Sequence, residues 1–64
     1  MKTHNIRTLE GEIIQISEYD IVHMKMVKRK DKYQLHLYDR IINVDKSVIN
    51  MFSFVYPYIT LINI

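Results

Sequence analysis

Between Asp20 and Asp39 the chain reads IVHMKMV, then KRKDK, then YQLHLY: two segments in which apolar and polar residues alternate, either side of a charged bend. Successive side chains of a strand point to opposite faces, so an apolar residue at every second position gives one face that can be buried. Val22, Met24 and Met26 form one such row and Tyr33, Leu35 and Leu37 the other, which predicts a β-hairpin. Pairing residue i with 61 minus i sets Met26 against Leu35 and Met24 against Leu37, leaving the loop Arg29-Lys30-Asp31-Lys32. A slip of one residue would mix apolar with charged side chains on one face, so odd-sum registers are preferred and a slip of two stays open. The bend holds no Gly or Asn to demand a primed turn, so the expected connection is a longer loop built on a type I turn.

The same logic extends the sheet towards the N-terminus. Ile14 and Ile16 alternate with Ile13 and Gln15, and pairing residue i with 38 minus i puts Ile16 against Val22 and Ile14 against Met24. The loop would be Ser17 to Asp20, and Gly11, the only glycine, marks a bend or bulge before the strand. Ile13, Gln15, His23, Lys25, Val27, Gln34, His36 and Tyr38 then line the opposite face. Residues 1–8 carry little pattern and are read as an arm or an edge strand.

Beyond Tyr38 the period changes. Residues 41–44, IINV, read as a short fourth strand, and Asp45 or Ser47 can cap a helix whose stripe is Val48, Met51, Phe52 and Val55. Such a helix ends before Pro57, because the residue preceding proline is pushed out of the helical region. The low helix propensities of Val, Ile, Asn, Phe and Ser keep a strand over 48–56 as a rival. Residues 58–64, YITLINI, read as a last strand that is apolar on both faces. Residues 47–64 also lack any charge, but Asn50, Ser53, Pro57, Thr60 and Asn63 interrupt them, so a helix plus strand is preferred to a membrane span.

The expected fold is therefore α+β: one domain over residues 1–64 with a small antiparallel sheet of three to five strands and one short helix on one face; all-β is the alternative. Ile, Val and Thr supply 19 of the 64 residues and alanine none, which favours strands. A chain this short buries only about 60% of its unfolded surface. It has no cysteine for a disulfide or a thiolate metal site, so homodimerisation is the expected supplement and a reducing, cytoplasmic setting the expected compartment. The N-terminal stretch shows no secretory apolar run. Richness in Ile, Lys, Asn and Tyr, the residues of A/T-rich codons, hints at a phage or other mobile element.

Catalysis finds little footing. The three histidines, at 4, 23 and 36, are the only groups suited to proton transfer near neutral pH, and His23 with His36 lacks a third ligand of a usual metal-binding type. The serines lack a nucleophile-elbow setting, and one glycine cannot build a phosphate-binding loop. No enzyme activity, metal or cofactor is expected. Charge distribution is the positive signal: residues 23–46 hold seven basic and three acidic side chains, the rest of the chain two basic and four acidic. Lys25, Lys28, Arg29, Lys30 and Lys32 gather on the hairpin, with His23, His36 and Tyr38 expected beside them. The expected function is a small binding protein that inhibits or modulates a protein partner through this sheet face and basic hairpin. The alternative is a nucleic-acid binder that sets the Lys25–Lys32 hairpin on phosphates and stacks bases on its aromatic residues.

Overall fold

A computed structural model describes residues 2–64. Six strands and two helices follow in the order β1 (Thr3–Arg7), β2 (Ile13–Ser17), α1 (Glu18–Val22), β3 (Lys25–Arg29), β4 (Lys32–His36), β5 (Ile41–Val44), α2 (Lys46–Val55) and β6 (Leu61–Asn63). The architecture is broadly α+β, but it differs from one antiparallel sheet with one helix. β1 and β2 form a separate two-stranded sheet, and the larger sheet has the order β5-β4-β3-β6. β6 lies parallel to β3, so that sheet is mixed.

The first departure is at β2. Its partner is β1, with His4 opposite Ile16 and Ile6 opposite Ile14, and not the segment around Val22. The turn between them closes with Thr8 N–H donating to the Glu12 carbonyl at 2.8 Å and Gly11 N–H to the Thr8 carbonyl at 3.0 Å. Gly11 takes φ of +89°, the left-handed region that only glycine enters without cost. Ser17 to Asp20, expected as a hairpin loop, instead starts α1 as a capping box. Asp20 N–H donates to Ser17 Oγ, and Ser17 N–H donates to Asp20 Oδ2, both at 3.2 Å. These side chains satisfy amides at the helix start, which is why this Ser-x-x-Asp ends a strand instead of bridging two. Val22 consequently closes α1 with 67% of its surface exposed and contributes nothing to the sheet row.

The central hairpin keeps its expected register, with Met26 opposite Leu35 and Lys25 opposite His36. Its turn is tighter than expected: Arg29 pairs with Lys32, leaving only Lys30 and Asp31 outside the ladder. Lys30 takes φ of +56°. Two-residue connections with a positive φ twist in the sense the flanking strands require, and here that need overrides the residue preference.

β5 runs antiparallel to β4, so β5, β3 and β6 share a direction and α2 is the crossover that carries the chain from one edge of the sheet to the other. The expected helix forms, and not its strand rival. Its buried stripe is Ile49 and Phe52, continued by Tyr56, with Val48 and Met51 partly buried. Val55, expected in the stripe, is exposed. The core lies on one face of the larger sheet, where Met26, Leu35, Ile42 and Val44 meet Ile49 and Phe52 of α2, Ile6 and Ile16 of the small sheet, and Ile21 of α1. His4 belongs to this packing: its Nε2 is hydrogen-bonded to Tyr56 Oη at 2.7 Å, and its ring stands edge-on to Phe52 at 5.6 Å. Burial, with the charge of Glu18 second, pushes the Tyr56 phenol above its ordinary pKa and keeps it neutral.

α2 begins at Asp45, whose carboxylate accepts the Ser47 backbone N–H at 3.1 Å. That hydrogen bond, followed by one from the Ser47 side chain, holds the Asp45 carboxyl below its usual range. A depressed folded-state pKa gives stability that is present above the unfolded value of about 3.9 and is lost as pH falls through the folded one. Urea unfolding between pH 6 and pH 2 is therefore expected to show an acid-side loss that Asp45→Ala flattens, with Asp45→Asn keeping the cap at neutral pH. An unchanged acid limb in Asp45→Ala would refute the assignment.

Candidate functional site

The open face of the larger sheet carries Lys25, Val27 and Arg29 of β3, Lys32, Gln34 and His36 of β4, Ile41 and Asn43 of β5, and Ile62 of β6, as the registers require. α2 and the small sheet are packed on the other side, so among the described residues no element covers this face. Val27, in the central strand β3, is only 3% exposed although it lies outside the main core. Ile62 ends its row on edge strand β6, and Ile41 ends the neighbouring row on edge strand β5. A polar chain runs over β4 and β5: His36 Nε2 lies 3.0 Å from Gln34 Oε1, and Gln34 Nε2 donates to Asn43 Oδ1 at 3.1 Å. The first contact runs along β4, and the second crosses to β5, where Asn43 is the register partner of Gln34.

Not all the residues expected at the site meet there. Lys25, Arg29, Lys32 and His36 share the open face, and Lys30 projects at its tip. Lys28 has the opposite parity and turns inward, its Nζ 5.6 Å from the centroid of the Tyr33 ring directly across the ladder. That places Lys28 as a lid over the end of the core, with its charge held on an aromatic face. His23 is not on a strand at all. It caps the C-terminus of α1, and its ring meets Tyr19 edge-on at 5.2 Å, so the expected pairing of His23 with His36 across adjacent strands does not occur. Tyr38 lies past the end of β4 and is 96% exposed.

The charges are segregated. No Asp or Glu occurs in any of the four strands of the larger sheet; the carboxylates sit in the β1–β2 turn, in α1, at Asp31, at Asp39 and at the Asp45 cap. Two clefts mark the opposite ends of the β3–β4 hairpin. At its tip, Arg29, Lys30, Asp31 and Lys32 line a shallow one of about 320 Å³. At its base, Tyr19, Asp20, His23 and Tyr38 line another of about 340 Å³. Among the described residues no cluster of three or more His, Cys, Asp or Glu converges as metal ligands would. Among the same residues no helix is long and apolar enough to cross a membrane.

Asn43 and Ile62 were absent from the sequence-level site, although the alternation of IINV pointed Asn43 and Ile41 to one side. Ile62 had no such signal, because its place depends on a parallel pairing across a helix. Searches against protein-family models, curated proteins and solved structures find no match to this chain.

Proposed function

We propose that this chain is a non-catalytic binding module that docks an acidic protein surface on the open face of its larger sheet and so occludes or modulates that partner. The observation that carries the reading is the composition of the face: Lys25, Arg29, Lys32 and His36 between the exposed aliphatic side chains of Ile41 and Ile62 on its two edge strands, with no carboxylate in any of the four strands. Exposed aliphatic side chains interspersed with cations suit a protein interface, and the cations speed encounter with an acidic surface.

A second reading, nucleic acid at the hairpin tip, draws on Arg29, Lys30 and Lys32 around the tip cleft. It is the weaker one because base stacking needs aromatic side chains beside the cations. Tyr33 points into the core side and Tyr38 stands beyond the strand end, leaving His36 alone on the face.

The test is a photo-crosslinking residue placed at Asn43 in the native host, with and without Lys25→Glu, Arg29→Glu and Lys32→Glu together. A discrete adduct to an acidic protein that disappears on charge reversal is expected. No adduct, or one indifferent to the reversal, would defeat the proposal. Nucleic-acid titration completes the experiment: affinity that falls with salt at a log–log slope of about −3, lost when Arg29, Lys30 and Lys32 become Ala, would put the nucleic-acid reading in its place.

A further inference from the structure

We propose that the cleft at the base of the β3–β4 hairpin is a binding site for a small organic cation of the methylated-ammonium class. Its walls are Tyr19, Asp20 and His23 of α1 and its C-cap, and Tyr38 from the β4–β5 connection, around a volume of about 340 Å³. Tyr19 and His23, four residues apart, stand one above the other on the helix, with their rings edge to face at 5.2 Å. Tyr38 brings a second phenol from a different part of the chain.

The other tyrosines have structural contacts: Tyr33 lies under Lys28, Tyr56 is bonded to His4, and Tyr58 packs edge-on against Tyr56. Tyr19 and Tyr38 are left largely in water, and the core does not use them. Asp20 is anchored through Oδ2, which accepts from Ser17 N–H and Ser17 Oγ–H. Among the described residues no hydrogen bond uses its Oδ1. The carboxylate is thus held rigidly on the cleft wall with one oxygen to spare. Glu18 and Asp39 adjoin the two tyrosines in sequence, while Lys25 and Arg40 each stand two residues from a cleft residue, so with Asp20 the carboxylates around the cleft outnumber the cations.

Aromatic faces attract cations through their quadrupole, most effectively when the cation is bulky and weakly hydrated, and a neighbouring carboxylate adds to the attraction. A methylated ammonium meets both conditions. An anion would be repelled by Asp20, and one His with one carboxylate is too small a set for a divalent metal. The cleft shares no residue with the proposed docking face, although Lys25 and His36 of that face stand at this same end of the hairpin.

Choline is the probe. Its titration, followed by NMR of the intact chain, is expected to shift the Tyr19, His23 and Tyr38 resonances saturably in the millimolar range. Its uncharged tert-butyl isostere should bind about threefold to tenfold more weakly, the factor expected of an exposed cation–π pair. Tyr38→Ala, which removes a side chain the fold does not use, and Asp20→Asn, which keeps an acceptor for Ser17, should each weaken choline by a similar factor. Phosphatidylcholine vesicles distinguish the source: co-sedimentation abolished by Tyr38→Ala assigns a lipid headgroup, and choline binding without co-sedimentation assigns a free cation. Absence of a saturable shift, equal binding of the isostere, or unchanged binding by Tyr38→Ala and Asp20→Asn would overturn the proposal.

Discussion

Phe52→Ala is expected to strip the chain of about a third to all of its folding stability. The Phe52 ring is fully buried on α2, against the sheet and edge-on to His4 of β1, so it joins the helix to both sheets. Replacing a buried phenylalanine by alanine costs about 3–5 kcal/mol in lost transfer energy and residual cavity. A domain of this length holds a total of about 3–10 kcal/mol, so the single change removes from about a third of it to all of it. Phe54→Ala, two residues on along the same helix but 85% exposed, should stay within about 0.5 kcal/mol of the parent. Urea unfolding followed by circular dichroism measures both. A folded Phe52→Ala with a midpoint like that of Phe54→Ala would show that α2 does not pack through Phe52.

The second large effect separates the two faces of β3. Met26 is fully buried opposite Leu35, and an aspartate there must bury an unpaired carboxylate or stay protonated, at a cost of several kcal/mol. Met26→Asp should therefore abolish folding. Lys25→Asp, one residue earlier and exposed on the open face, should change stability by no more than about 0.5 kcal/mol. The proposed docking gives that variant a second readout, since it should lose crosslinking to an acidic partner while remaining folded. Similar melts for the two variants would mean that the faces of the hairpin are exchanged.

Legibility in the sequence followed the range of the interaction. The β3–β4 register was readable because two neighbouring rows of alternating residues, joined by a short bend, permit few pairings that bury one face. The α2 cap at Asp45 and the helix end before Pro57 were readable too, since caps and prolines act on the backbone within a few residues. The rotation of the α2 stripe onto Ile49, Phe52 and Tyr56 was not, because several apolar stripes fit such a helix and the facing side chains select one.

The same division runs through the candidate sites. The basic residues of the hairpin were evident, and alternation alone should have separated inward Lys28 from outward Lys25, Arg29 and Lys32. His23 was misplaced because its strand-like spacing from Met24 and Lys25 was outweighed by the Ser17–Asp20 capping box, which starts a helix whose end His23 caps. Tyr19 and Asp20 lie in α1 and Tyr38 beyond β4, and nothing local predicts that the two segments line one cleft.

By itself, then, the sequence determined the central hairpin and the parity of its register, favoured a helix before Pro57, and placed the concentration of positive charge between β3 and β4. Only the tertiary structure decided that β2 pairs back onto β1, that β6 lies parallel beside β3 after a crossover, and that α1 and the segment after β4 meet in one cleft at the base of the hairpin. The physical reason is that alternation and capping are fixed by neighbours along the chain. The choice among strand partners and helix rotations depends instead on which distant apolar surfaces can be buried together.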